Sequence, residues 1–386
     1  MRPHDHAVLI LDGACGTNLQ EMIIPVSAWE GREGCNELLN LTAPDTIVQL
    51  HAAFVEAGAM VIETNTFGAN RIVLEEYGLE DRVAAINRAA VDNARRAIGG
   101  KADTYVGGSV GPGTKLPSLG HIPVDVLARA YEEQVRALVE GGVDLLIIET
   151  CQDLLQIKTA VTTCYETLEE LRAEIPVMVS VTIERTGTML VGSDIAAAAV
   201  TFEPYPLFSF GLNCATGPQD MESHIRYLSR HWPGRISCVP NQGLPEVVNG
   251  RTCYPLDPET YAREMKRFVT DYGVSVVGGC CGTTAAHSRR WVDAGGGVQR
   301  ARASCPARRG PEADRGRGRA DAGIRHATPR AVHRSPGRAR RAGHPRRTAG
   351  AATAAPFPAD PSAAGRRRRD GRRAPASAIR EWRPRC

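Results

Sequence analysis

The sequence predicts an α/β fold built on a parallel barrel. From position 8 to position 278, short apolar runs alternate with amphipathic segments, a pattern typical of parallel βα units. Eight runs fit strands, and eight strands in about 270 residues match the size of a TIM barrel. Polar, glycine-rich clusters follow these runs, where a TIM barrel carries its active site. An open doubly wound sheet is the rival fold, but it offers no reason for distant clusters to meet.

Each run and each intervening segment carries its own local signal. The helices are marked by apolar stripes that end at Gly58, at Gly141 and at Gly273. Thr42 is predicted to cap the first of these helices, and Asp257 the last. The predicted strands are 8–11, 60–64, 105–109, 145–149, 177–182, 207–212, 236–241 and 274–278.

The pattern stops near His287, and this position is the predicted boundary of the barrel, residues 1–287. From Ser288 onward there are 26 arginines and seven acidic residues, so this stretch carries +19 and the part before it −15. The stretch 288–386 is rich in Arg, Ala, Pro and Gly. We expect it to be disordered, because it has little apolar surface to bury. An out-of-frame reading of a GC-rich gene is one explanation. The eighth helix is therefore doubtful, since 284–293 offers only a short, poor one.

Composition also bounds the location and the partners. Eleven cysteines without a recognisable signal peptide predict a reducing, cytoplasmic setting and metal or catalytic use of thiols. No run reaches the roughly 18 apolar residues of a membrane span. The arginines would bind nucleic acid only non-specifically, through phosphate contacts.

Adjacent thiols stand at the end of the last predicted strand, in the glycine-rich stretch 278–284. Cys280 and Cys281 cannot easily form a disulfide with each other, so a shared metal is the simpler explanation. A catalytic zinc site takes three protein ligands. Cys214, which follows the sixth strand, is the best third candidate, although a buried cysteine is its ordinary alternative.

The chain resembles the zinc-dependent homocysteine S-methyltransferases, most closely the homocysteine-binding module of cobalamin-dependent methionine synthase. The resemblance covers roughly residues 7 to 285. The motifs that carry it are Asp12-Gly13-Ala14-Cys15-Gly16-Thr17, Gly34-Cys35-Asn36-Glu37-Leu38-Leu39-Asn40-Leu41-Thr42, Glu63-Thr64-Asn65-Thr66-Phe67, Gly211-Leu212-Asn213-Cys214 and Gly278-Gly279-Cys280-Cys281-Gly282-Thr283-Thr284.

This resemblance implies that Cys214, Cys280 and Cys281 hold Zn²⁺, and that the homocysteine thiol becomes the fourth ligand and attacks a methyl donor. Three thiolate ligands favour thiol alkylation over water activation, which suits neutral ligands.

Substrate contacts follow with alternatives left open. Glu149 is expected to bind the substrate ammonium, unless it pairs with a helix end, and Asp12 touches the amine or orients its turn. The backbone at Gly16 and Thr17 is expected to bind the carboxylate. Asn241 resembles a family asparagine beside the zinc, and Asn65 is a similar candidate for a contact in the site. For both residues, the alternative is an ordinary turn residue.

The donor stays open between methylcobalamin on a partner domain or chain, and S-methylmethionine, betaine or another corrinoid-linked compound. A zinc-binding but inactive truncated product is a further alternative.

Overall fold

The strands of the barrel lie where the sequence predicts them. The computed structural model describes residues 2–248 and 251–295. Eight parallel strands form the barrel, and a two-stranded antiparallel hairpin, β8 and β9, follows the seventh of them. The strands are β1 Leu9–Ile10, β2 Val61–Glu63, β3 Tyr105–Val110, β4 Leu145–Cys151, β5 Val177–Val181, β6 Ser209–Asn213, β7 Arg235–Val239, β8 Glu246–Val248, β9 Arg251–Cys253 and β10 Val276–Val277.

The edges of the sheet meet, which closes the barrel. The strand order is β1-β10-β7-β6-β5-β4-β3-β2. A parallel bridge joins Leu11 to Val61, and the amide of Met60 donates to the carbonyl of Ile10 at 2.7 Å, so β1 and β2 also pair. The open doubly wound alternative is therefore wrong for this chain.

Helices follow the strands and wrap the barrel. Those preceding the next barrel strand are α3, α5, α6, α7, α8, α9 and α10, and α11 follows β10. The helices are α1 Gly16–Glu21, α2 Leu39–Thr42, α3 Pro44–Ala57, α4 Arg71–Glu75, α5 Val83–Ile98, α6 Val124–Gly141, α7 Leu154–Leu171, α8 Ile195–Phe202, α9 Pro218–His231, α10 Pro258–Tyr272 and α11 Ala285–Ala294. Short 3₁₀ turns lie at Pro3–Asp5, Val26–Trp29, Asn36–Leu38, Glu80–Arg82 and Pro117–Leu119.

The predicted caps are partly confirmed. The carboxylate of Asp257 accepts hydrogen bonds from the amides of Glu259 and Thr260, both at 3.0 Å, at the start of α10. Thr42 does not cap α3, because its hydroxyl donates to the carbonyl of Leu38 within the preceding turn, and α3 begins after Ala43 instead.

Two layers of apolar side chains hold the fold together. The larger layer lies between the strands and the surrounding helices, as strand alternation in a barrel requires. The smaller fills the barrel interior and consists of Leu9, Leu11, Val61, Tyr105, Leu145, Ile147, Met178, Phe208, Val239 and Val276. The barrel interior is thus a packed core without an open channel.

The eighth helix, doubtful from the sequence, is present as α11. Trp291 is 3% exposed and packs into the main core, and the side chain of Val292 packs against Gly58 at the end of α3. The guanidinium of Arg290 forms a two-point ion pair with Glu259 of α10. Trp291 also lines a small cavity with Leu11, which follows β1, and with Val277 of β10. The helix therefore covers β1 and β10, and it runs past the predicted boundary at His287.

Two predictions concern the arginine-rich stretch: that it is disordered and that it binds phosphates non-specifically. Most of that stretch, 296–386, lies outside the described residues. Among the helices that are described, none combines the length and apolarity needed to cross a membrane.

Candidate metal and substrate site

Three cysteine sulfurs converge at the carboxyl-terminal mouth of the barrel. Cys214 directly follows β6, and Cys280 and Cys281 follow β10. Their ligand atoms all lie within 4.8 Å of one another, and the sulfurs of Cys214 and Cys281 are 4.0 Å apart. Within 2–248 and 251–295, this is the one group of three or more His, Cys, Asp or Glu side chains arranged to hold a metal ion.

Tight backbone turns aim these sulfurs. Cys214 has φ of 61° and Ala215 φ of 57°, a left-handed conformation that is costly for residues other than glycine. On the other side, the amide of Cys280 donates to the carbonyl of Pro240 at 2.8 Å, and the amide of Cys281 donates to Oδ1 of Asn241 at 3.1 Å. The end of β7 thus fixes the paired cysteines.

The electrostatics of the cluster suit a cation. Hydrogen bonds from Cys214 and then Cys280 lower the pKa of Cys281 to about 3. Hydrogen bonds to the same neighbours, together with burial, raise the pKa of Cys280 well above its ordinary value. A bound dication would favour the thiolate form of all three cysteines.

The spacing fits zinc. A tetrahedral centre with Zn–S bonds of about 2.3 Å places its sulfurs roughly 3.8 Å apart, close to the 4.0 Å between Cys214 and Cys281. The three cysteine residues are only partly buried, so a fourth position can face the mouth. Cys15 lies outside the cluster, and its thiol donates to Oδ1 of Asn65 at 3.4 Å.

Three carboxyl groups lie near one another beside the sulfurs. Asp12 follows β1, Glu63 ends β2, and Glu149 lies in β4. Burial raises the pKa of all three groups, and the negative charges of Glu149 and then Asp12 add to the effect on Glu63. Oδ2 of Asp12 accepts from the amide of Glu63 at 3.1 Å, whereas its buried Oδ1 has no partner among the described atoms.

Glu149 is held rigidly and is linked to the cysteines. The hydroxyl of Ser109 donates to its Oε1 at 2.6 Å, and Nδ2 of Asn213 approaches its Oε2 at 3.3 Å. Asn213 also binds Thr150, which adopts φ of 58°. Because Asn213 directly precedes Cys214, one polar network positions both the acid and the sulfur. Among the described residues, no helix end donates a hydrogen bond to Glu149, in contrast to the alternative considered from the sequence.

The remaining predicted residues border the same mouth. Gly16 and Thr17 begin α1, and the hydroxyl of Thr17 accepts from the amide of Gly282 at 3.1 Å. Nδ2 of Asn65 donates to the carbonyl of Asn36 at 2.7 Å, which joins the loop after β2 to the stretch 34–42. Asn65 therefore connects two loops at the mouth of the barrel.

Sequence reasoning missed two residues of the site. Glu63 had a usable signal, because it is an acidic residue at the end of a strand. Glu149 holds a similar place near the end of β4. Tyr254 had none: it follows the hairpin in a loop, yet its ring packs against Gly282, next to Cys281. Burial and then the charge of Cys281 raise the pKa of Tyr254 to about 12, so the phenol stays protonated.

A parallel barrel with three converging cysteines at its mouth defines an enzyme-like scaffold with a cluster of thiols that could hold a metal ion. Residues 9–294 match the family described as homocysteine S-methyltransferase. The chain belongs to this family.

Individual relatives agree with that assignment. Methionine synthase of Mycobacterium tuberculosis is 44% identical over 297 residues, which cover 76% of this chain and 25% of that protein. Methionine synthase of Mycobacterium leprae is 44% identical over 287 residues, which cover 73% of this chain and 24% of that protein. The chain thus spans about a quarter of the length of these curated relatives.

A solved structure supports the fold. The metallated form of a homocysteine methyltransferase from Escherichia coli aligns with a TM-score of 0.59 at 21% identity, covering 74% of this chain and 96% of that one. Identity this low supports the fold alone.

Proposed function

We propose that this chain transfers a methyl group to the thiol of homocysteine, giving methionine, and that it is the homocysteine-binding module or a fragment of a cobalamin-dependent methionine synthase. The observation that carries the proposal is the juxtaposition of three converging cysteine sulfurs with three converging carboxyl groups at one mouth. A thiol and an ammonium on the same small molecule would match these two groups.

In this proposal Cys214, Cys280 and Cys281 hold Zn²⁺. When bound, zinc supplies a Lewis acid that keeps the substrate thiol in its nucleophilic thiolate form at neutral pH. Oδ1 of Asn241 accepts from the backbone amide of Cys281, and Asn213, which directly precedes Cys214, hydrogen-bonds to Glu149 and Thr150. These residues orient the ligand set.

Glu149, Glu63 and Asp12 form the proposed ammonium subsite. The unpartnered Oδ1 of Asp12 is an acceptor that a substrate N–H could satisfy. A bound cation would also lower the cost of ionising three neighbouring acids. The backbone amides at Gly16 and Thr17 are proposed for the carboxylate, because the first amides of a helix have no intrahelical acceptor.

The proposed methyl donor is methylcobalamin carried on a partner domain or chain, since the curated relatives are methionine synthases of which the aligned stretch covers only about a quarter. The test is methionine formation by the zinc-loaded chain from homocysteine with methylcobalamin, S-methylmethionine or betaine. We expect turnover with methylcobalamin. Turnover with S-methylmethionine or betaine alone would overturn the donor assignment, and no turnover with any donor would favour the inactive alternative.

We propose that the catalytic barrel extends beyond residue 287 to the end of α11. This helix covers the strands that precede Asp12 and the paired cysteines.

A further inference from the structure

The strand that carries Glu149 is irregular at that residue. The register of β4 against β5 shifts between Ile148 and Cys151. Glu149 and Thr150 therefore lie opposite a single residue of β5, Ser180, which is the pattern of a β-bulge. Thr150 has φ of 58°, a left-handed conformation that is costly for a β-branched residue. Pairing with β5 alone therefore does not hold Glu149 in place.

The bulge is held by Asn213, which ends β6, two strands away in the sheet. Oδ1 of Asn213 accepts from the amide of Thr150 at 2.9 Å, and its Nδ2 donates to the hydroxyl of Thr150 at 2.7 Å. The same Nδ2 approaches Oε2 of Glu149 at 3.3 Å. The hydroxyl of Thr182, just after β5, donates to the carbonyl of Asn213 at 3.0 Å. Asn213 is buried, so water cannot readily replace these bonds.

From Asn213 the backbone continues directly into a sulfur of the cysteine cluster. Cys214 and Ala215 both adopt left-handed φ values, 61° and 57°. Residues in such conformations persist only where the surrounding structure holds them. The side chain of Asn213 thus joins two costly turns, one next to the acid Glu149 and the other at the sulfur of Cys214.

This connection fixes the two ends of the proposed substrate site relative to each other. A molecule that binds through its thiol at the cysteine cluster and through its ammonium at Glu149 must span the separation between them. Because Glu149 cannot move without disturbing its contacts with Asn213, one methylene more or less would misplace one of the two contacts. A loosely held acid could instead follow the ammonium of a shorter or longer molecule.

Resting on the function proposed above, we propose that Asn213 is a positioning residue that selects for the chain length of homocysteine among α-amino thiols, by fixing Glu149 relative to Cys214. It acts through these two residues and does not itself touch the substrate. An asparagine suits this role because its side chain both accepts and donates hydrogen bonds. It uses the acceptor on the amide of Thr150 and the donor on the hydroxyl of Thr150 and on Glu149.

The experiment measures dissociation constants by calorimetry on the full zinc-loaded chain. The ligands are homocysteine, cysteine, which is one methylene shorter, and the homologue of homocysteine with one additional methylene before the thiol. We expect the wild type to prefer homocysteine over each by at least about 10-fold, a usual discrimination for one methylene. In Asn213→Ala both preferences should fall by about five-fold or more, the factor that one ordinary hydrogen bond corresponds to. Zinc content should be retained.

Two substitutions at Thr150 keep the test valid if Asn213→Ala does not fold. Thr150→Val keeps the side-chain shape and removes the hydroxyl, so it should lower both preferences. Thr150→Ser keeps the hydroxyl and should retain the wild-type preferences. The matched control is Asn87→Ala, which removes another buried asparagine, whose Nδ2 donates to the carbonyls of Ala69 and Val83, both at 2.8 Å. It should leave both preferences unchanged.

Wild-type preferences in folded Asn213→Ala or in Thr150→Val would overturn the inference. Equal weakening of all three ligands in these variants would also overturn it, because Asn213 would then support the site without setting its span. Homocysteine binding by the wild type without a preference for its chain length would overturn the inference and leave the proposed function standing. No homocysteine binding by the zinc-loaded wild type would overturn the proposed function itself, so the two failures are distinguishable.

Discussion

At the scale of single residues, Glu149 is the most informative acid of the site. Its two oxygens are already oriented by Ser109 and Asn213, so little reorganisation is needed to receive an ammonium. Hydrogen bonds between charged groups contribute about 1.5–3 kcal/mol, and Gln in place of Glu would keep the size while removing the charge.

Glu149→Gln is therefore expected to weaken homocysteine binding about 10-fold to 100-fold, by calorimetry on the zinc-loaded protein. The matched ligand is 4-mercaptobutanoate, which lacks the amine; its affinity should be unchanged. An equal loss for both ligands would contradict the ammonium role and point to distortion of the Cys214 turn through Asn213.

Glu63 gives a pH-dependent prediction. Its pKa in the folded chain is raised by burial and by its acidic neighbours, whereas an unfolded glutamate titrates near 4.3. Its contribution to stability is fully present below about pH 4.3 and is lost as the pH rises through the raised folded pKa. Through Glu63, the substrate-free protein should therefore lose stability as the pH rises above about 4.3.

Glu63→Gln should relieve this cost. The stabilisation relative to wild type should grow as the pH rises above about 4.3, the pKa of an unfolded glutamate, in thermal unfolding of the substrate-free protein. The exposed Glu33→Gln is the control and should show no trend with pH. A Glu63→Gln difference that is constant with pH would contradict a titrating acid cluster.

At the scale of secondary structure, most strands and their order were predictable, because apolar runs and glycine turns are local signals. Helix α11 was not, since its ten residues carry few apolar side chains and its stability depends on packing of Trp291 against distant elements. The cap at Thr42 failed for a related reason: a neighbouring turn competes for its hydroxyl. Glu63 and Tyr254 depend on contacts between separate loops.

Two truncations test the role of α11. A chain ending at Gly295 keeps the helix, and a chain ending at Thr284 removes it. We expect the first to unfold cooperatively in urea and the second to lose at least about 3–5 kcal/mol, the usual cost of removing a buried tryptophan side chain. Equal stability of the two chains would contradict the conclusion that α11 covers β1 and β10.

At the scale of the whole molecule, the barrel brings together residues that are far apart in sequence. Asp12 and Cys280 are separated by most of the described chain, yet the amide of Gly279 donates to the carbonyl of Asp12 at 3.0 Å. The convergence of Cys214, Cys280 and Cys281 was predictable, because strand order in a closed barrel determines which loops are neighbours. The sign and degree of their pKa shifts were not, since these depend on burial and on side-chain contacts.

The most direct test of the central claim is zinc content per chain, measured by elemental analysis after metal loading and dialysis. The account predicts one zinc per chain in the wild type, loss of zinc in Cys280→Ser, and retention in Cys15→Ser, whose thiol lies outside the cluster. Retention of zinc in a folded Cys280→Ser variant, or its absence from a folded wild-type chain, would contradict the proposal that Cys214, Cys280 and Cys281 form the metal site.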